Sequence, residues 1–324
     1  MLTFISAAII FFAGPGLAAA EEARPMARIG VLIPESQRPE SQVIKGLRDR
    51  LRELGYSERK DLALEIRDAK GDREALKPMM GDLVSRKVSV VVTTGTRATQ
   101  VARAATTEIP VVFSHPADPV SLGLVKSAER PGANITGVAA FAQQMTDKRL
   151  EVLKQIAPRV RRVRIFYDSN NKFSRDNFAA AQTVAAKLGL QVAEHAVKST
   201  DELKKSFSDL QKREDDGLFH VPDDLVESQA EFIFDTAREK ALPTMFNEEV
   251  WAIKGALAAY GPSYYQMGRQ AADLVGKILK GTKPENLMVE RLGKFDLVIN
   301  YRTATAIGLS IPPEILKRAD KVIR

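Results

Sequence analysis

Three residues in the first third of the chain, Thr94-Gly95-Thr96, have the composition of an anion-binding turn. The β-branched run Val88–Val92 predicts a buried strand, Thr93 to Gly95 break that pattern, and Thr96 begins an alanine-rich segment typical of a helix. Gly95 can adopt a positive φ, the threonines offer hydroxyl groups, and the first N–H groups of a helix lack intrahelical partners. The turn is therefore predicted to bind a carboxylate, although many such turns only connect a strand to a helix.

Further polar clusters follow five other predicted strands, at residues 27–33, 110–114, 162–167, 217–221 and 243–246. Ligands bind outside the carboxyl ends of the strands in open parallel sheets, so these clusters are candidates for one site. The candidate residues are Ser36, Gln37, His115, Asp118, Asp168, Asn170, Asp223, Asp224, Asn247 and Glu248. If the carboxyl edges of two sheets face each other, all of these residues line one cleft suited to a small molecule.

The predicted strands alternate with predicted helices, which indicates an α/β fold with parallel sheets covered on both faces. Asp72 is predicted to cap one helix, and Ser199-Thr-Asp-Glu202 has the spacing of a capping box. A longer helix is predicted from about Leu225 to Lys240. Because the strand–helix scheme runs twice along the chain, the sequence predicts two doubly wound units.

Length and composition favour a two-domain soluble protein, because 324 residues exceed one ordinary core and 44% hydrophobic with 27% charged residues is typical of globular chains. The net charge is +7, but acids alternate with the basic residues along most predicted helices. The densest basic run, Arg159–Arg164, has no aromatic partners for bases, so nucleic acid is not an expected partner. The absence of cysteine excludes disulfides and a lipid attached through a thiol.

Residues 1–20 are predicted to be a signal peptide for secretion. They carry no charge, contain the apolar run Phe4–Ala13, and end in Ala18-Ala-Ala20, a cleavage-type sequence before Glu21. A membrane-spanning helix is the competing interpretation, but the apolar run is shorter than the roughly 18 residues of a span and Pro15 interrupts it. The mature protein is therefore expected to be free in the periplasm.

Short motifs along most of the chain resemble one known family. In the C-terminal third they are Gly255–Gln270 (GALAAYGPSYYQMGRQ), Lys277–Pro284 (KILKGTKP), Asp296–Asn300 (DLVIN) and Ile307–Pro312 (IGLSIP). Earlier they are Gly46-Leu-Arg48, Glu53–Tyr56 (ELGY), Gly95-Thr96, Asp118-Pro-Val120, Gly123-Leu-Val125 and Arg130–Gly137 (RPGANITG). Taken in sequence order, these motifs cover about residues 28 to 323. They resemble those of the periplasmic substrate-binding proteins of ABC transporters, of the tryptophan/tyrosine type.

The resemblance implies a type I periplasmic-binding fold, in which two Rossmann-like lobes, each a parallel sheet flanked by helices, are joined by three crossovers. We expect the crossovers near Gly137, near Tyr260–Pro262 and near Val289–Leu292. Residues 27–137 and 262–288 would then form lobe 1, and residues 138–261 and 289–324 would form lobe 2.

The resemblance also implies roles for the candidate residues. The Thr94-Gly95-Thr96 turn would bind the carboxylate of the ligand. Asp223 or Asp224 would face an ammonium group, with Glu248 as a further candidate. The aromatic candidates to flank the ligand are Phe113, Tyr167, Phe246 and Tyr260, although core packing is more common for such side chains. The chain departs from the family pattern at Pro222-Asp-Asp-Leu225 and at His115, which leaves the identity of the ligand open.

Three classes of function compete for this arrangement. The leading hypothesis is a monomeric ligand-capture protein, without cofactor or metal, that delivers a small solute to the transmembrane subunits of an ABC permease. The second is an enzyme with His115 as base and Asp118 or Asp223 as its partner, but no nucleophile motif, glycine-rich phosphate fingerprint or metal-spaced histidine pair accompanies them. The third is the effector-sensing half of a transcription regulator, which a signal peptide in place of a helix-turn-helix argues against.

Overall fold

The computed structural model describes residues 26–34, 40–58, 60–115, 118–140, 145–211 and 213–324, and the side chains of residues 40, 41 and 115 are outside that description. The predicted signal peptide at residues 1–20 and the candidates Ser36 and Gln37 also lie outside the described residues.

The described residues form strands and helices in regular alternation. The strands are β1 Ala27–Ile33, β2 Leu62–Asp68, β3 Val90–Thr94, β4 Val111–His115, β5 Ile135–Ala139, β6 Arg162–Asp168, β7 Gln191–Val197, β8 Asp216–Phe219, β9 Thr244–Phe246, β10 Ala258–Pro262, β11 Glu290–Arg291, β12 Phe295–Asn300 and β13 Lys321–Ile323. The helices are α1 Glu40–Glu53, α2 Leu76–Ser85, α3 Gly95–Ala105, α4 Met145–Ile156, α5 Lys172–Lys187, α6 Thr200–Ser208, α7 Asp224–Glu227, α8 Ala230–Glu239, α9 Glu249–Lys254, α10 Tyr264–Leu279, α11 Tyr301–Ala306 and α12 Pro313–Arg318, and a short 3-10 helix covers Pro284–Asn286.

The first sheet has six parallel strands in the order β11-β5-β4-β3-β1-β2. Every residue of β3 is buried, as expected of a β-branched strand covered on both faces. One face of this sheet packs against α1 and α10, and the other packs against α2 and α3.

The second sheet has seven strands in the order β13-β12-β10-β9-β8-β6-β7, of which only the β10–β12 pair is antiparallel. Helices α4 and α5 pack on one face, and α6, α8 and α9 pack on the other. Two sheets dominated by parallel pairs, with helices on both faces of each, confirm the predicted α/β fold. We call the first sheet with its helices lobe 1 and the second sheet with its helices lobe 2.

The chain passes between the two lobes three times: between β5 and α4, between β10 and α10, and between β11 and β12. The strand pairing extends lobe 1 beyond the boundaries predicted at residues 137 and 288. Val138 and Ala139 pair with β4, and Glu290 and Arg291 pair in turn with those two residues. Residues 138–139 and 290–291 therefore belong to the first sheet. Their predicted assignment to lobe 2 is wrong.

Helix α10, which follows the second crossover, is held against α1 by direct backbone contact. A Cβ at Gly46 would lie 2.0 Å from the carbonyl oxygen of Tyr265, and a Cβ at Gly268 would lie 2.0 Å from that of Val43, so only glycine fits at either position. Arg269 adds two hydrogen bonds of 2.7 Å to the carboxylate of Glu53. This packing explains the glycine of the Gly46-Leu-Arg48 motif.

Three local predictions are wrong in their details. Thr93 and Thr94 are the last residues of β3 and not part of a loop, because they pair with Phe113 and Ser114 of β4. Asp72 does not cap α2, since it accepts the N–H of Glu74 in a turn that precedes the helix. The helix predicted from Leu225 to Lys240 is divided into α7 and α8. The capping box is confirmed, with the hydroxyl of Ser199 accepting the N–H of Glu202.

Candidate functional site

Two buried hydroxyl groups lie side by side at the carboxyl edge of the first sheet. Thr94 ends β3 and pairs in register with Ser114 of β4. Thr94 is 4% exposed and Ser114 is 3% exposed, yet neither hydroxyl has a hydrogen-bond partner among the described residues. An unsatisfied buried hydroxyl costs about 1–3 kcal/mol, which is why most buried polar groups are paired. Hydrogen bonding among the described residues therefore does not account for the burial of these two hydroxyls.

The turn that follows β3 presents backbone N–H groups at the same edge. Thr94 is the N-cap residue of α3, but its side chain makes no capping bond, and Gly95 has a φ of +74°. The neighbouring Thr93 is fully satisfied, because it bonds to Thr99 at 2.8 Å and Thr99 donates to the carbonyl oxygen of Gly95. Thr96 is half-buried in the first turn of the helix. The predicted positive φ at Gly95 is confirmed, and the first turn of α3 begins directly above the end of β3.

The other candidates of lobe 1 lie after β4. His115 is the last residue of that strand and pairs with Ala139. Asp118 is half-buried, and its Oδ1 atom accepts the N–H groups of Val120 at 2.9 Å and of Ser121 at 3.4 Å. Asp118 thus shapes the turn that follows β4.

At the carboxyl edge of the second sheet, Asp223 joins two strand ends. It is 3% exposed, and its Oδ1 atom caps α7 by accepting the N–H of Val226 at 2.9 Å. Its Oδ2 atom accepts the N–H of Asp168 at 2.7 Å, and Asp168 in turn accepts the N–H of Asn170. Asp224 is exposed on α7. Both oxygens of Asp223 are therefore engaged by backbone groups that position this edge.

Asn247 follows β9 and provides a further unsatisfied group. Its Oδ1 atom is buried and has no hydrogen-bond partner within the part of the chain that the structure describes. A Cβ at Gly261 would lie 1.8 Å from the carbonyl oxygen of Asn247, so the glycine allows β10 to approach this residue closely. Glu248 comes next, at the N-cap position of α9.

A buried cation near Glu248 was not among the predicted site residues. Arg149 of α4 is 2% exposed, and its guanidinium donates to the carbonyl oxygen of His220 at 3.0 Å and lies over the ring of Phe219. Burial lowers the pKa of Arg149 to about 10, an effect that the carboxylate of Glu248 opposes. The sequence signal was an arginine within the buried stripe of α4 that includes Met145, Val152 and Ile156.

The aromatic candidates divide between the core and the crossover region. Phe113 and Phe246 are buried in the cores of their lobes, and Tyr167 packs on Phe178 with ring centroids 4.5 Å apart. Tyr260 is half-buried on β10 and stacks on Phe295 of β12, next to the second and third crossovers. Burial raises the pKa of Tyr260, so its phenol stays protonated at neutral pH.

Within the described ranges, no three histidine, cysteine, aspartate or glutamate side chains are placed to hold a metal ion. Across the same residues, no helix has the length and apolar character of a membrane span.

A family model described as ABC transporter substrate binding protein matches residues 28–323. The chain belongs to this family. The family that the sequence motifs predicted is thus confirmed, and this substrate-binding protein has the predicted type I fold.

Individual relatives support the assignment. This substrate-binding protein is 27% identical over 266 residues to a tyrosine-binding protein from Clostridioides difficile (strain R20291). The aligned region covers 82% of this chain and 76% of the relative. It is similar to the crystal structure of the ABC domain in complex with L-Trp from Streptococcus pneumonia, with a TM-score of 0.76, 26% identity, and coverage of 92% of this chain and 100% of that one. It is also similar to the ligand-free, open structure of a substrate binding protein with adhesive properties from Clostridium difficile, with a TM-score of 0.79, 25% identity, and coverage of 92% and 99%.

Proposed function

We propose that this substrate-binding protein captures a small carboxylate-bearing solute, an amino acid or a related acid, between its lobes and delivers it to the transmembrane subunits of an ABC importer. The relatives described as binding tyrosine and L-Trp favour an aromatic amino acid. The proposal includes export by the segment at residues 1–20, action in the periplasm and a monomeric state.

The observation that carries the proposal is the set of unsatisfied polar atoms at the carboxyl edges of both sheets. Thr94 and Ser114 contribute hydroxyls in lobe 1, and Asn247 contributes a carbonyl oxygen in lobe 2. Ligands of open α/β sheets bind at this edge, and a pocket that fixes a small molecule needs only a few such groups. In this proposal the Thr94-Gly95-Thr96 turn and the first N–H groups of α3 bind the carboxylate, because the N-terminus of a helix favours negative charge.

Acidic residues of lobe 2 suit the opposite end of an amino acid. Glu248 follows Asn247, and Asp168, Asp223 and Asp224 belong to neighbouring strand ends. Because both oxygens of Asp223 already accept backbone N–H groups, we assign the ammonium group of the ligand to Asn247 and Glu248. The buried guanidinium of Arg149 interacts electrostatically with Glu248 and is its nearby counter-charge.

A thermal-shift screen of the mature chain against the twenty standard L-amino acids, their amides, a set of organic acids, and sugars and amines that lack a carboxylate tests the proposal. An amino acid present at 100 times its Kd adds about 2.7 kcal/mol to the free energy of unfolding, so a binder raises the melting temperature visibly. We expect an amino acid to do so and its amide to do so less. A shift caused by sugars or amines alone, with none from any carboxylate, would overturn the proposed ligand class.

Closure of the two lobes is tested separately by small-angle scattering. Because the lobes have separate sheets and are joined by three short crossovers, we expect the bound amino acid to draw them together as rigid bodies. The radius of gyration should therefore fall at saturation. An unchanged radius with a bound amino acid would contradict clamping and leave binding itself intact.

A further inference from the structure

Three neighbouring strands of lobe 1 each carry a buried hydroxyl group on the same face of the sheet. The residues are Thr94 on β3, Ser114 on β4 and Thr136 on β5, and all are at most 4% exposed. The strand register aligns Thr94 with Ser114 and Val112 with Thr136, and side chains alternate across a strand, so the three hydroxyls share the face that packs on α1 and α10.

These three hydroxyls differ in their hydrogen bonding. Thr136 donates to the carbonyl oxygen of Leu287 at 2.9 Å, which ties β5 to the segment before β11. Thr94 and Ser114 have no such acceptor among the residues that the structure describes. Valine at position 94 and alanine at position 114 would fill the same core without an unsatisfied group, so packing does not account for either hydroxyl.

We infer that Ser114 is a ligand-binding residue and that it forms, with Thr94, a pair of donors for the two oxygens of the ligand carboxylate. This inference rests on the proposed function and adds to it a residue outside the predicted set. Neighbouring strands are about 4.8 Å apart, so two hydroxyls in register are spaced for two oxygens of one carboxylate. The first turn of α3 adds backbone N–H groups and a positive dipole end at the same edge.

The chemistry of the pair favours an anion over a neutral group. A hydroxyl can donate or accept, but a ligand ammonium would be placed next to the N-terminus of α3, which repels positive charge. No carboxylate of the described residues accepts a hydrogen bond from Thr94 or Ser114, so their donor protons remain for the ligand. Two hydroxyls bind a carboxylate more strongly than a neutral acceptor, since hydrogen bonds to charged groups are stronger than those between neutral groups.

Three variants test the inference by calorimetry and thermal unfolding, namely Thr94→Val, Ser114→Ala and Thr136→Val. L-Tryptophan and L-tyrosine are the first probes, followed by the other standard amino acids. We expect Thr94→Val and Ser114→Ala to weaken binding about tenfold to hundredfold each, while their melting temperatures stay equal to that of the wild type or rise. The control Thr136→Val should lower the melting temperature and leave the affinity unchanged, because its hydroxyl holds structure and not ligand.

The amide of the amino acid that binds the wild type identifies the group that the pair contacts. If Ser114 donates to the carboxylate, Ser114→Ala should cost a smaller factor with the amide than with the free acid. An equal loss with both compounds overturns the carboxylate assignment. Wild-type affinity in Ser114→Ala overturns the role of Ser114 but not the proposed function, whereas a wild-type protein that binds no amino acid overturns both.

Discussion

Two regions of the molecule differ in the hydrogen bonding of their buried polar groups. They are the amino ends of β6 and β8 in lobe 2 and the carboxyl ends of β3 and β4 in lobe 1. In the first region Asp216, 1% exposed, accepts two hydrogen bonds from Arg162 at 2.6 and 2.9 Å and one from Arg164 at 2.7 Å. In the second, Thr94 and Ser114 have no partners among the described residues. A buried charge with a complete set of partners holds the fold, whereas the two unpaired hydroxyls lie at the sheet edge where we propose that the ligand binds.

His195 extends the satisfied region. Arg164 lies 3.3 Å from its Nε2 atom, and because a guanidinium can only donate, Nε2 accepts and the ring proton is on Nδ1. That Nδ1–H group donates to the hydroxyl of Ser206, 3.2 Å away, and the ring stacks on Phe166. The neutral ring therefore closes a network that runs from Asp216 through Arg164 to Ser206.

The largest expected effect comes from removing the centre of this network. Asp216→Ala leaves Arg162 and Arg164 without their shared counter-ion, and breaking a buried ion pair in this way costs about 3–5 kcal/mol. Urea unfolding measures the loss. Calorimetry with the amino acid that the wild type binds should give an unchanged affinity, because Asp216 is the first residue of β8 and the proposed site is at the opposite end of the strands.

An exposed ion pair is the matched control. The side chain of Asp235 is 68% exposed and bonds to Arg238 on the same helix, and such surface pairs are worth about 0–1 kcal/mol. If Asp235→Ala is as destabilising as Asp216→Ala, the network is no more than a surface ion pair. If Asp216→Ala also weakens amino-acid binding, the two regions are not independent.

Two glycines with positive φ, one at the carboxyl edge of lobe 1 and one before β7 of lobe 2, allow a second comparison. Gly95, at the carboxyl edge, has a φ of +74°, and Gly189, after α5, has a φ of +67°. A Cβ at Gly95 would meet only Pro34, at 3.7 Å, and one at Gly189 would meet nothing within 4 Å, so strain rather than collision decides both substitutions. We expect Gly95→Ala and Gly189→Ala each to lose about 1–2 kcal/mol in urea unfolding, because the left-handed conformation is unfavourable with a Cβ.

Only Gly95→Ala should also weaken amino-acid binding, since the strain shifts the first turn of α3 from its position above Thr94 and Ser114. Calorimetry of the two alanine variants at a temperature where both are folded separates the effects. Equal affinities in Gly95→Ala and the wild type would show that the turn does not contact the ligand and would remove α3 from the proposed site.

The sequence predicted the elements well because their periodicity is local. Alternating strands and helices, the capping box at Ser199 and the positive φ at Gly95 depend on neighbouring residues alone. The end of β3 was missed, although Thr93 and Thr94 are β-branched residues of the kind that strands favour. Their polarity indicated a loop, but pairing with β4 decided the outcome.

The candidate site was harder to predict because hydrogen-bond satisfaction is a tertiary property. Ser114 is an ordinary strand residue in the sequence, and only the fold leaves its hydroxyl unpaired beside Thr94. Asp223 is at a strand end, as predicted, but the backbone of two neighbouring elements engages both of its oxygens. Arg149 was predictable in part, since an arginine in an apolar helical stripe needs a partner.

The smallest expected effect concerns the pH dependence of the satisfied region. Burial, together with Arg164 and Arg162, lowers the pKa of His195 to about 4, from 6.5 for an ordinary histidine. Between these two pH values the unfolded chain binds a proton at His195 that the folded chain does not. The stability from this residue is therefore complete above pH 6.5 and is lost as the pH falls toward 4.

His195→Gln isolates this contribution, because the remaining titratable groups are common to both proteins and cancel in the difference. For a half-buried ring, solvent screening reduces the expected loss to about 1–2 kcal/mol across the window. Urea unfolding of the wild type and the variant at intervals from pH 7 to pH 4 should give a steeper fall for the wild type. Parallel curves would mean that folding does not lower the pKa of His195 and that the network from Asp216 to Ser206 does not favour the neutral ring.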